Sequence, residues 1–215
     1  MGVAILCCPE ASIGGLADYV DKSRHIAIDA CDGGLERVLS PLASDTVSVI
    51  VGFTETDNAG TLYNSAAVMH RGEIVGVYRK MHPAINRSVY RAGSRLSLFR
   101  IGNLTFGVLI CLDSTVEEHS TDIVSRGATA LFIPTNNGMP QLRSTTNLVE
   151  RRHAQDILCA SRNRMSVIRA DVAGRANGLV SYGSSGIFNH KGEPLAEATQ
   201  LEPCLLVADI EPHPI

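Results

Sequence analysis

Short apolar runs of β-formers alternate along this chain with helical and glycine-punctuated stretches. "VAILCC" (3–8) has the continuous hydrophobicity of a buried strand, and so does "VSVIVGF" (47–53). Between them Gly14-Gly15 and Gly33-Gly34 mark breaks, and "GLERVLSPLA" (34–43) has helical spacing until Pro41 disturbs it. "TLYNSAAVMH" (61–70), the turn "RGE" (71–73) and "EIVGVYRK" (73–80) predict a hairpin. A second hairpin is predicted in "LSLFRIGNLTFGVLICLD", turning at Gly102-Asn103. "EEHSTDIVSRGA" (117–128) predicts a helix stopped at Gly127, "TALFIP" (129–134) a buried strand, and 144–163 a long Arg-rich helix. "SVIRADV" (166–172), "SSGIFNHKGEPLAEA" (184–198) and "CLLVADI" (204–210) predict closing strands. There is no repeat of fixed period and no linker. Hairpins mixed with helix-and-strand units predict a layered α/β protein with sheet packed on sheet and helices outside.

Composition narrows this. A length of 215 residues suits one domain with a full core, spanning 1–215. Hydrophobic residues at 45% and charged residues at 19% fit a soluble globular chain. A net charge of −3 gives no polyanion-binding surface, so no nucleic-acid partner is expected. No apolar run reaches the roughly 18 residues of a membrane span, so no membrane partner is expected either. The start "MGVAILCCPE" lacks a basic n-region and reads as a strand; Leu6 stands where a myristoylation signal wants Ser or Thr. The six cysteines contain no CxxC pair, and four of them lie in apolar strand-like runs, so reduced thiols and a cytoplasmic setting are expected. The seven histidines show no HxH or HExxH spacing, so neither a metal site nor a cofactor is expected.

Three chemically capable residues share one topological place. Glu10, Lys80 and Cys111 each stand at the C-terminal end of an apolar strand, the edge where open α/β sheets carry reactive groups. Alone, each has an ordinary explanation: a solvated loop glutamate, an exposed lysine and a core thiol. Together, "CCPE", "YRKMHP" and "GVLICLD" resemble the three signature segments of the nitrilase superfamily of carbon–nitrogen hydrolases, with their Glu-Lys-Cys triad. "GATALFIPT", "ASRNRMSVIRADVAG" and "YGSSGIFNHKGEPLAEA" resemble three further segments of that family, in order, so the likeness runs from about residue 3 to 210.

The resemblance implies a four-layer αββα sandwich and an amidase-like hydrolase of small linear amides or N-carbamoyl compounds. It needs no cofactor and forms a homodimer or larger homo-oligomer. Cys111 would be the nucleophile, Glu10 the general base, and Lys80 the cation that favours the thiolate and stabilises the oxyanion, with the backbone N–H of Leu112 as a second donor. Asn136 and Asn137 in "IPTNNGMP" would hold the substrate amide or serve turn chemistry before Gly138.

The chain departs from the family in two ways. Counting back seven from Gly93, the family's second glutamate is Asn86 here, which can hydrogen-bond but not shuttle a proton. His82 and Arg87 would be its substitutes, or plain loop residues. The family's helix pair "EN" reads Arg162-Asn163, and its later Asn reads Asp171. Second, the family places a strand and a long helix before its catalytic glutamate, whereas Glu10 comes almost at once. The same segments therefore fit two other readings: an impaired binding protein of this fold, or an acyltransferase using the same thioester. Tyr78 would pack near Lys80 or serve only as a strand residue. "ERRH" (150–153) reads as a solvated helix face and not as a binding patch. Ser184-Ser185 have no GxSxG elbow and are not read as nucleophiles.

Overall fold

A computed structural model describes residues 4–20, 23–30, 32–141, 147–176 and 178–211. The first sheet contains β1 (Ala4–Cys7), β2 (Ile28–Asp29), β3 (Val47–Thr56), β4 (Leu62–His70) and β5 (Glu73–Arg79) in the order β1-β3-β4-β5, with β2 also on β3. β1 and β2 run parallel to β3, and β3, β4 and β5 form an antiparallel meander. The second sheet is built from β6 (Leu98–Ile101), β7 (Leu104–Val108), β8 (Ala130–Thr135), β10 (Ser166–Asp171), β13 (Gly186–Phe188) and β14 (Pro194–Glu197), ordered β14-β13-β10-β8-β7-β6. Its central strands β7, β8 and β10 are parallel. A small third sheet joins β9 (Met139–Pro140), β11 (Ala173–Ala176) and β12 (Leu179–Tyr182).

Side-chain alternation explains the layering. On β3, Ile50 points to the second sheet and packs with Ala66, Val68 and Tyr78 against Phe106, Val108 and Leu131. Val49, Val51 and Phe53 point the other way and are covered with Ala67 and Met69 by Leu35 and Leu39 of α1 (Gly34–Leu39). The second sheet is covered by α2 (Glu117–Ser125) and α3 (Asn147–Asn163) through Ile123 and Ala160. Buried on both faces, β8 carries the continuous apolar run expected of a parallel strand. The result is a four-layer α/β sandwich. None of the described helices is long and apolar enough to cross a membrane.

Both predicted hairpins form, and Pro41 converts the end of α1 into a 3-10 turn at Ser40–Leu42. Gly127, at φ +94°, lies beyond α2, and its N–H closes on Val124 O at 2.8 Å. Residues 144–146 of the expected long helix and Val3 lie outside the described residues, as does Cys31. One expected strand does not form. Cys204–Ile210 pairs with no described strand: Leu205 and Val207 are 74% and 79% exposed, while Ile210 packs on the core. Its alternation is met by laying one side on the sandwich, because a period of two reports burial of one face and not the presence of a ladder partner. The small third sheet and β2 had no clear pattern to announce them, being two to four residues long.

Candidate active site

Three strand ends converge. β1 runs into Pro9-Glu10, and the Glu10 N–H reaches Thr135 O at 3.2 Å, tying the end of β1 to the end of β8 in the other sheet. A Cβ at Gly52 of β3 would sit 2.5 Å from Ala11 N and 2.6 Å from Pro9 O, so only glycine lets this corner lie flat on β3. β5 ends at Arg79, and Lys80 is held by its own N–H on Asn64 O (2.8 Å) and by the Gly93 N–H on its carbonyl (2.7 Å). A Cβ at Gly93 would come within 2.2 Å of Arg79 O, so this return loop too requires glycine. β7 ends at Val108. The buried pair Leu109-Ile110 leads into Cys111, which opens a 3-10 turn, Cys111–Thr115, at φ +47°. A non-glycine residue in the left-handed region is a strained feature that concentrates at functional sites.

The polar contacts are dense. Glu10 and Lys80 are 2% and 3% exposed and meet at 2.5 Å between Oε1 and Nζ. Asn64 Nδ2 donates to the same Oε1 at 2.7 Å, and the Asn136 N–H donates to Oε2 at 2.8 Å. Lys80 has three donors, of which one is engaged by the described residues. Burial pushes the Lys80 ammonium down, but Glu10, Cys111 and Asp113 outweigh it and hold it above its ordinary value. The Cys111 thiol is pushed up to about 11, by burial first and by Glu10 second, against the pull of Lys80, Arg169 and Arg152. Burial and Glu10 thus favour the neutral thiol at rest.

Two supports hold the Cys111 turn. Asp113 is fully buried and accepts hydrogen bonds from Tyr78 Oη (2.7 Å), Met81 N (3.1 Å) and His82 N (2.7 Å), locking the Cys111 turn to the loop that follows Lys80. Arg169 of β10 donates to Asp156 of α3 through Nε and Nη2, both at 2.6 Å, to Thr135 Oγ1 at 2.8 Å and to Ser114 Oγ at 3.1 Å. Ser114 in turn donates to Cys111 O at 2.8 Å. Burial works against the Arg169 charge, and Asp156 more than offsets it.

The expected contact residues divide. Asn137 Oδ1 lies 3.8 Å from Cys111 Sγ, and its amide nitrogen donates to Asp171 (3.0 Å) and Ser184 (3.1 Å). The Asn136 side chain instead caps its own turn on Gly138 N, while its backbone N–H serves Glu10. Leu112 lies in the first turn after Cys111, where helical N–H groups have no intrahelical partner. Asn86 and Arg87 are exposed on the loop beyond Lys80, and Asn86 makes no hydrogen bond to Glu10, Lys80 or Cys111. His82 turns to His119, with Nε2 atoms 2.8 Å apart and rings stacked at 5.0 Å. Arg162 pairs with Glu117 on the surface, and Asn163 bonds Ser120 and Cys159. Tyr78 is fully buried, and its hydroxyl goes to Asp113, not to Lys80. Ser184 is fixed between Asp171 and Asn137 as a support.

"ERRH" is corrected in its second half. Glu150 and Arg151 are exposed, but Arg152 is half-buried and His153 bonds Ser184 O and Glu197. The face of α3 that buries Val149, Asp156 and Ala160 includes them. Charge alone misled, since the helical spacing already placed them inward. Asn64, Asp156 and Arg169 were missed; an Arg inside the buried run "SVIRADV" was the available signal. Among the described residues, no three His, Cys, Asp or Glu side chains gather as metal ligands.

Residues 1–215 match the carbon–nitrogen hydrolase family, and the chain belongs to it. Among its relatives is a nitrilase of Pyrococcus abyssi, 29% identical over 87% of this chain and 68% of its own length. Another is a glutamine-dependent NAD(+) synthetase of Acinetobacter baylyi, 30% identical over 77% of this chain; the match spans only 30% of the synthetase's length. The fold is similar to that of an amidase from Nesterenkonia sp. AN1, with a TM-score of 0.72 at 20% identity, covering 96% of this chain and 79% of the amidase.

Proposed function

We propose that this protein hydrolyses non-peptide carbon–nitrogen bonds of small linear amides or N-carbamoyl compounds through a Cys111 thioester. The observation that carries the reading is the buried Glu10–Lys80 pair, with two Lys80 donors not engaged by the described residues. Burial and Glu10 both disfavour a resting thiolate, so in this reading the proton leaves as the bond forms. Cys111 Sγ attacks the carbonyl carbon while Glu10 takes the thiol proton. The oxyanion is held by free N–H bonds of Lys80 and by the Leu112 N–H. On collapse the C–N bond breaks, and Glu10 returns its proton to the leaving nitrogen. Water then attacks the thioester with Glu10 again as base, the C–S bond breaks, and Cys111 regains a proton from Glu10. Asn137, fixed by Asp171 and Ser184, is the substrate contact nearest the sulfur. We read the working form as a homodimer.

The test is ammonia release from a panel of small amides and N-carbamoyl amino acids by wild type and Cys111→Ala. Release by the wild type that falls by about 10⁴-fold or more in the variant supports the reading. Equal release from both proteins overturns it.

A further inference from the structure

A buried network fixes which end of the Asn137 amide faces Cys111. Asp171, the last residue of β10, is a carboxylate and can only accept. Its Oδ1 takes the Asn137 backbone N–H at 3.1 Å. Its Oδ2 takes the Ser184 N–H at 2.8 Å, the Ser184 hydroxyl at 2.7 Å and Asn137 Nδ2 at 3.0 Å. The hydroxyl proton of Ser184 is thereby committed to Asp171. Ser184 Oγ, 3.1 Å from Asn137 Nδ2, is left to accept. Both hydrogens of the Asn137 amide nitrogen are then used, one on Asp171 and one on Ser184.

Turning the amide over would set its oxygen against the oxygens of Asp171 and Ser184. All three residues are buried, where opposed polar groups are costly. The described partner of Asn137 Oδ1 is the Cys111 thiol, 3.8 Å away. An acceptor oxygen this close to the sulfur constrains how a substrate lies. It repels a developing oxyanion, so the carbonyl oxygen belongs with the spare Lys80 donors and not with Asn137. Once the thiol proton has gone to Glu10, Oδ1 has lost its resting partner. With the attacked carbon about 3 Å from the sulfur, an atom bonded to that carbon can come within hydrogen-bond reach of Oδ1. The atom that fits an acceptor there is a nitrogen carrying hydrogen.

We propose that Asn137 Oδ1 is a specificity-determining acceptor for an N–H on the scissile nitrogen, held in that direction by Asp171 and Ser184 as positioning residues. This rests on the hydrolase reading above and narrows it. The protein selects acyl donors whose leaving nitrogen carries hydrogen, namely primary amides and N-carbamoyl compounds. Nitriles and esters offer no N–H and leave the buried acceptor unpaired.

The experiment compares butyramide with p-nitrophenyl butyrate, which gives Cys111 the same acyl group from a leaving group without N–H. Asn137→Leu keeps the side-chain size and removes the acceptor. It should lower kcat/KM about 30-fold for butyramide and less than about threefold for the ester. Asp171→Asn, whose amide can donate where the carboxylate only accepts, should shift the same ratio in the same direction by about fivefold. A merely structural role would lower both substrates together. Binding to Cys111→Ala, followed by NMR titration, should favour butyramide over butyronitrile and lose that preference when Asn137→Leu is added. Equal losses for amide and ester, or binding to Cys111→Ala with no preference for the amide, overturn the assignment. The two readings fail separately: Cys111-dependent turnover of either substrate upholds the hydrolase whatever Asn137 does. An amide preference that is lost with Asn137→Leu upholds the acceptor even where no turnover is seen.

Discussion

Glu10–Lys80 and Asp156–Arg169 are both buried ion pairs of this sandwich, and they are built differently. Arg169 uses Nε and both terminal nitrogens, on Asp156, Thr135 and Ser114, so its fork is closely occupied by fixed partners. Lys80 spends one donor of three on Glu10, and Cys111 helps hold its charge. The first pair is a finished joint linking α3, β8 and the Cys111 turn. The second has capacity left over at the place where charge would develop. Removing two charges from water is expensive in both cases, and saturation of the partners decides whether the result is a brace or a reaction site.

The largest expected effects come from splitting the pairs. Arg169→Met leaves Asp156 as a buried lone charge and should cost about 3–5 kcal/mol in denaturant unfolding; Lys80→Met should do the same to Glu10. Replacing both members separates the two. Arg169→Met with Asp156→Leu should regain most of the stability and part of any Cys111-dependent activity, because the pair bonds the Cys111 turn through Ser114 and does not touch the sulfur. Lys80→Met with Glu10→Gln should regain stability and no activity. Recovery of activity in the second double variant would erase the distinction drawn here.

A smaller effect is read from pH. With the Cys111 thiol at about 11, alkylation by iodoacetamide in the absence of substrate should be slow at pH 7 and rise about tenfold per pH unit up to that value. A plateau near pH 9 would mean that Glu10 and burial do not control the sulfur. The sign for stability follows from the same shift. The folded thiol holds its proton more tightly than the unfolded one, so this contribution is full below about 9 and is lost as pH rises to about 11. The smallest effect is expected at Asn86. It is exposed and makes no hydrogen bond to Glu10, Lys80 or Cys111, so Asn86→Ala should change kcat/KM less than about threefold and stability by less than about 0.5 kcal/mol. A large loss would bring that loop into the site.

The two pairs also differ in how far the chain announced them. Glu10 and Lys80 end strands whose apolar runs are unmistakable, within segments that resemble a known family. Asp156 and Arg169 sit inside elements read as a charged helix and a buried strand, thirteen residues apart, and neither residue type at that spacing marks a pair. Asn64 was hidden for another reason: a polar residue on the inner face of β4 breaks the alternation and reads as noise until Glu10 is placed against it. The 3-10 turn at Cys111 was absorbed into the preceding strand, since Leu109 and Ile110 prolong the apolar run beyond the last ladder position at Val108.

By itself the sequence determined the layers, the hairpins and the three strand ends that carry Glu10, Lys80 and Cys111. Those follow from local period and from residue types whose burial preferences are strong. Tertiary structure alone decided that Asn136 offers its backbone and Asn137 its side chain, that Asn86 stays outside, and that Arg152 turns inward while Arg151 does not. Such choices depend on which donors meet which acceptors once two sheets and a helix are docked. Hydrogen bonds are directional and specific to a few tenths of an ångström, and that geometry is not carried by any one segment of the chain.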